Sequence, residues 1–295
     1  MDLRTASEPM LQEDNQSPGH LTIKNQIWRA YKDALATFWV ANTEINSSDI
    51  NKWRETTSKE HQDAIYLTFR MFAYSINSLS ETLETQLINE VKIPEARCVS
   101  QDFTKKNIHT EVLWTFAANF YANKDVDSPI STDTPPGMEG KRAWIERQKG
   151  IACSKGTPLA TKLMSLLTIR EIFYGSLQAL IRYFISQGIV PPSLNIIKIF
   201  EDQERHNYFL LLLIRHFNYQ VHAELSKEII IDAVNIEKAF AASIDEVITR
   251  SSSKPPSLDG MSKYIEFLAD RLLADLGLAI HYNTPNPVHP TSYPL

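Results

Sequence analysis

Two four-residue stretches of this chain have the residue types and spacing of metal chemistry, but each is incomplete: Lys106-Asn107-Ile108-His109 and Gln203-Glu204-Arg205-His206. Two Glu-x-x-His motifs on facing helices, with one carboxylate from each of two further helices, hold a pair of divalent ions inside a helical bundle. The i, i+3 spacing serves that purpose because it puts both side chains on one helix face. Here both histidines are present, and the glutamates are replaced by Lys106 and Gln203. Two divalent ions carry four positive charges, and four carboxylates neutralise them. At an effective dielectric near 20, unit charges ~4 Å apart interact by about 4 kcal/mol. Losing several carboxylates therefore removes more binding energy than geometry can restore. A lone histidine on an apolar helix is ordinarily a satisfied core residue. Two of them, each closing a degraded motif, admit a second reading as a former metal site.

The elements that must position these residues are helices. Residues 1–20 are polar and without periodicity, and read as a disordered N-terminal arm. From Ile23 the pattern turns helical, with Ile27, Tyr31, Leu35, Phe38 and Trp39 forming a core-facing stripe. A second helix is expected over Ser58 to Asn89, with Ile65, Phe69, Phe72, Ile76, Leu79, Leu83 and Leu87 on one side, and a third over Glu95 to Tyr121. Residues 123–140 are rich in proline, serine, threonine and aspartate and predict a loop. A short helix is expected around Arg142 to Lys149. Longer ones follow at Pro158 to Gln187, Asn195 to Tyr219, Ser226 to Arg250 and Gly260 to Leu278. No strand-like alternation runs longer than a few residues. The pattern predicts one all-α domain over residues 21–280, followed by a proline-rich tail over 281–295.

Composition narrows the function. Of 295 residues, 43% are hydrophobic and 22% charged, which suits a globular core. A net charge of -5, with no basic stripe, gives no reason to bind nucleic acid. The longest apolar run, Tyr208 to Ile214, is too short to span a bilayer. Cys98 and Cys153 make neither a disulfide framework nor a zinc site, and the first residues carry no apolar signal region. A cytoplasmic, reducing location is the expectation.

Beyond the two motifs, several stretches resemble the small subunit of class I ribonucleotide reductase, over roughly Gln26 to Pro287. They are ATFWVAN around Trp39, FAYSINSLSETL from Phe72, EARC and NIHTE up to Glu111, REIFYGSLQALIRYFISQGIVP from Arg170, FEDQERH up to His206, and YIEFLADRLLADLG up to Gly277. The resemblance implies a ferritin-like helical bundle, and iron or manganese in the family's cofactor. Its first ligand, an aspartate, falls on Ile76. The first Glu-x-x-His falls on Lys106 and His109, the single glutamate of the next helix on Arg170, and the second Glu-x-x-His on Gln203 and His206. All four acids are gone, and the formal charge of these positions moves from -4 to +2. Leu113 stands where the family has its radical tyrosine. Trp39, Asp202 and His109 match its radical-transfer route, either as a retained electron path or as a structural brace.

The resemblance thus implies a protein with no metal or other cofactor of its own and no catalytic residue. It would be a pseudoenzyme acting as a structural or regulatory partner in deoxyribonucleotide synthesis. The alternatives are a functional subunit, working as a heterodimer partner or through an unusual metal-free radical, and a divergent oxidase that would need a metal. Glu171, Glu204 and Glu111 sit on the wrong helix faces to rebuild a metal site. Glu81 and Glu84 are expected to pair with Lys106 or Arg170, or to face solvent, instead. Two buried cations need acidic partners, with Glu171, Asp202 and Glu204 as further candidates. The resemblance favours a homodimer, or a heterodimer with a related small subunit, through helices near Phe72 to Leu113. The chain stops about 18 residues after Gly277, so the family's docking peptide for the large subunit is expected to be missing. The ending HYNTPNPVHPTSYPL is similar to that of herpesvirus small subunits, over a stretch too short to fix the source.

Overall fold

A computed structural model describes residues 26–41, 47–76, 84, 90–93, 96, 106–120, 137–154, 157–190, 196–219, 221–251 and 258–287. Within these it leaves out the side chains of 47, 49, 106, 107, 114, 117–120, 153 and 245–251. The N-terminal arm, Glu81, Cys98, most of the 123–140 loop and the last eight residues therefore lie outside the described residues, as do Leu79, Leu83 and Leu87.

The described chain is helical, with no strand among its residues. The helices are α1 (Gln26–Ala36), α2 (Ser47–Thr56), α3 (Lys59–Tyr74), α4 (Lys106–Phe120), α5 (Glu139–Cys153), α6 (Leu159–Thr168), α7 (Tyr174–Ser186), α8 (Ile196–His216), α9 (Ala223–Ser251) and α10 (Leu258–Asp275). A five-residue π-helical turn, Ile169–Phe173, joins α6 to α7 without a break. Ser58 caps α3 by accepting from the backbone N–H of His61 at 3.3 Å. Gly188, at φ +68°, ends α7 in the left-handed conformation that glycine adopts without strain. There the Ile189 N–H reaches back to the Phe184 carbonyl at 3.0 Å.

Packing follows the apolar stripes. α9 lies against α3, α5, α6 and α10, while α8 lies against α1, α4 and α6. Phe69 stacks on Phe116 at 4.3 Å between ring centroids, and Phe72 meets Phe200 edge-on at 5.7 Å. These aromatic pairs fix α3, α4 and α8 around one core. α7 and α10 approach closely at Gly175, where an added Cβ would come within 2.7 Å of Leu268 Cδ1.

The π turn is held by a second buried device. Lys141 on α5 and Glu237 on α9 are fully buried and paired at 2.8 Å. The ammonium also donates to the Phe173 carbonyl at 3.4 Å and lies 3.6 Å from the Phe240 ring centroid, while Ser176 donates to the carboxylate. Burial pushes the Lys141 ammonium below its ordinary range and the Glu237 carboxyl above its own, each opposed by the charge of the other.

Three sequence expectations change. The first stripe runs past the end of its helix: α1 stops at Ala36, and Leu35 and Phe38 are 52% and 59% exposed. Trp39 is buried all the same, from a non-helical segment. Among its described side chains helix α2 buries Ile50 and Trp53, too few apolar residues for periodicity to announce it. α5 extends to Glu139–Cys153, beyond the Arg142 to Lys149 expected.

Candidate functional site

The two histidines lie in the bundle interior with Arg170 and Asp202, and all four side chains are buried. Arg170 projects from the π turn. Its Nε donates to Asn207 Oδ1 at 3.0 Å and its Nη1 to Glu84 Oε1 at 2.8 Å. Its Nη2 donates to Gln203 Oε1 at 2.6 Å and meets His206 Nδ1 at 2.9 Å. A guanidinium has no acceptor, so His206 Nδ1 must be the bare nitrogen and its ring proton sits on Nε2.

Asp202 organises the other half. Its Oδ2 accepts from Trp39 Nε1 at 2.9 Å and from His109 Nε2 at 3.0 Å, and its Oδ1 accepts from Arg205 at 3.0 Å. His109 therefore carries its proton on Nε2, leaving Nδ1 to face Gln203 Nε2 at 3.4 Å. Trp39 and His109 lie nearly parallel, 16° apart, with centroids separated by 6.1 Å. Gln203 links the halves: its oxygen takes the Arg170 proton and its amide nitrogen faces His109. Swapping the two ends of that amide would set donor against donor at Arg170.

Of the acids named as partners for Arg170, Glu84 makes the ion pair. Glu171 binds Arg271 at 2.6 Å and accepts from Asn207 Nδ2 at 3.0 Å. Glu204 is mostly exposed and lies 3.6 Å from Arg182. Asp202 takes Arg205. Glu111 is exposed. Ile76 and Leu113 are buried apolar side chains. The Lys106 side chain and Glu81 lie outside the described residues. Sequence reasoning missed Asn207 and Arg205. A signal for Asn207 exists, since Gln203, His206 and Asn207 stand at i, i+3 and i+4 on one face of α8.

A dimetal centre fits this donor set poorly. A fixed guanidinium charge occupies the acceptor atoms of Glu84, Gln203 and His206 and would repel a divalent ion beside them. The Nδ1 atoms of both histidines already face donors. Among the described residues, no group of three or more His, Cys, Asp or Glu side chains is placed to hold a metal ion. The arrangement can orient histidines and carry hydrogen bonds from Trp39 to Arg170.

The architecture is a ferritin-like helical bundle, and comparisons with known proteins place it more narrowly. The family described as "Ribonucleotide reductase, small chain" matches residues 22–290. The ribonucleoside-diphosphate reductase small chain of Neurospora crassa is 30% identical over 292 residues, covering 96% of this chain and 68% of that protein. The small chain of Vaccinia virus (strain Copenhagen) is 30% identical over 270 residues, covering 88% of this chain and 80% of that protein. The Rnr4 homodimer of Saccharomyces cerevisiae shares the fold at a TM-score of 0.79 and 23% identity, over 97% of this chain and 90% of that one. The dimanganese(II)-NrdF of Streptococcus sanguinis does so at 0.71 and 15%, over 95% and 98%. The chain belongs to the ribonucleotide reductase small-chain family.

Proposed function

We propose that this protein is a ribonucleotide reductase small-subunit fold that builds no dimetal or tyrosyl-radical cofactor of its own and serves as a structural or regulatory partner. The observation that carries this reading is the Arg170 guanidinium, bonded at once to Glu84, Gln203, His206 and Asn207. A monovalent cation built into the chain satisfies the polar atoms that would otherwise turn toward metal. Leu113 offers no hydroxyl to hold a radical at the position matching the family's tyrosine. Assembly as a dimer, with a second copy or with a related small subunit, fits the homodimeric Rnr4 neighbour.

A second reading rests on a different observation. Trp39, Asp202 and His109 form an unbroken hydrogen-bonded chain, which would suit a subunit that supports reduction of ribonucleotides to deoxyribonucleotides as a heterodimer partner. Metal analysis and electron paramagnetic resonance of protein incubated anaerobically with ferrous or manganous salt, then exposed to oxygen, test the first reading. Substoichiometric metal and no radical signal are expected; two equivalents of iron or manganese per chain would overturn it. Adding the metal-free protein to a large subunit, alone and with a competent small subunit, tests the second, for which a gain in nucleotide reduction is the expected result.

A further inference from the structure

After α10 the chain does not leave the bundle. Gly277 ends the helix with φ +72°, and the segment turns back over α9 and α10. The turn is pinned by one carboxylate. Asp270 Oδ1 accepts the backbone N–H groups of His281 at 2.8 Å and Tyr282 at 2.9 Å, and its Oδ2 accepts that of Thr284 at 3.0 Å. Asn283 sits between them at φ 56°, a left-handed conformation that asparagine tolerates better than most residues. The Thr284 hydroxyl donates to Glu266 Oε2 at 2.7 Å. Glu266 pairs in turn with Lys238 from α9, whose ammonium lies 5.1 Å from the Tyr282 ring centroid. Thr284 is half-buried, and Pro285, Asn286 and Pro287 beyond it are exposed.

We propose that Thr284 is a phosphorylation site for a protein kinase selecting threonine followed by proline, and that its phosphate unlatches residues 281–287 from α9 and α10. The hydroxyl, next to Pro285 on a non-helical exposed segment, is reached once two hydrogen bonds open. The Thr284 oxygen attacks the γ-phosphorus of a nucleoside triphosphate. The new O–P bond forms as the bond from that phosphorus to the bridging oxygen breaks, the hydroxyl proton passes to the kinase's base, and the nucleoside diphosphate leaves. The product has lost the hydrogen that Glu266 accepted and carries about -1.5 to -2 charge at neutral pH. It faces Glu266 and Asp270 from α10, and the cations near Glu266 among the described residues, Lys238 from α9 and Lys263 from α10, are already paired with Glu266 and Asp259. Phosphate added to the briefly open segment therefore keeps it from closing. This inference is independent of the metal-site reading.

The test uses the full chain. One arm treats native protein with ATP and a recombinant proline-directed kinase and maps the phosphate by mass spectrometry. The other installs phosphothreonine at 284 genetically and follows amide hydrogen exchange. Labelling of Thr284 is expected. Protection at residues 281, 282 and 284 should fall about a hundredfold, with the α9 and α10 cores unchanged. Thr284→Val, which loses only the hydrogen bond to a charged acceptor, should lower it by about tenfold. Absence of phosphate on Thr284 in the native chain overturns the proposal. So does a phosphorylated chain whose protection is no lower than that of the valine variant.

Discussion

The Arg170–Glu84 pair can be tested by a double-mutant cycle. The guanidinium and the carboxylate are 3% and 8% exposed at the side chain and lie 2.8 Å apart, so solvent screens neither. Arg170→Met keeps the unbranched stem of the side chain, removes the guanidinium's bonds to four residues and strips Glu84 of its counter-charge. Breaking a buried pair in this way costs about 3–5 kcal/mol. Glu84→Leu leaves a guanidinium that cannot shed its charge with the neutral acceptors Asn207, Gln203 and His206, so a loss in the same range of about 3–5 kcal/mol is expected. The double variant removes both charges together and should be less destabilised than the sum, with a coupling energy of about 2–3 kcal/mol. Urea unfolding followed by circular dichroism, at one fixed protein concentration because oligomerisation contributes to apparent stability, measures all four corners. Additivity within about 0.5 kcal/mol would mean that the two groups do not interact in solution and that Arg170 is balanced elsewhere.

Three further outcomes follow from the same geometry. If the proposed function holds, introducing acids with Ile76→Asp, Lys106→Glu, Arg170→Glu and Gln203→Glu together should raise bound iron or manganese from background toward two equivalents per chain. Unchanged metal content would count against the assignment of those four positions. Burial pushes the Glu266 carboxyl up, but hydrogen bonds from Lys238 and Thr284 outweigh it and hold the group below its ordinary 4.5. Its stabilisation is thus complete above pH 4.5 and lost as pH falls through the depressed value, so the gap in urea midpoint between the native chain and Glu266→Gln should be wide at pH 7 and shrink toward pH 3. Gly175→Ala should lower stability by about 1–3 kcal/mol by overpacking α7 against α10; a neutral result in thermal unfolding would mean that Leu268 swings clear.

The bundle was legible in the sequence because α3, α6, α7, α8, α9 and α10 each repeat apolar residues at helical spacing. It failed at α1 and α2 for opposite reasons. In the first, apolar residues continue past the helix end, so Leu35 and Phe38 look like core positions and are exposed. In the second, the buried face is too small to show a period. At the site, both histidines stood out by their motifs, whereas Asp202, Trp39 and the need of Arg170 for an acid followed from the family resemblance. The choice of Glu84 over Glu171 was not. Glu171 is adjacent in sequence, but it points to Arg271, whereas Glu84 arrives from a separate helical segment that the fold alone brings near. The Lys141–Glu237 pair is likewise silent in sequence, because its partners come from α5 and α9 and match no local motif.

Under the proposed function, the residues around the histidines are consistent with one another, and this consistency would separate a remodelled site from a decayed one. Decay would leave buried groups facing like groups. Here, among the described residues, the Arg170 charge is met by Glu84 and the Asp202 charge by Arg205. Gln203 carries the constraint between them. With a glutamate at that position, His109 Nδ1 would face an acceptor and would need a second ring proton or a bound cation. The neutral amide instead presents an oxygen to Arg170 and a nitrogen to His109. The Asp202 carboxylate holds the His109 proton on Nε2 and accepts from the Trp39 indole, and the Gln203 amide nitrogen matches the bare Nδ1 that results. Arginine at 170 and glutamine at 203 are therefore coupled: either alone would leave an unmatched donor or acceptor in the core, at about 1–3 kcal/mol. On the proposed reading, stability of the bundle is by itself a reason for the two residues to occur together.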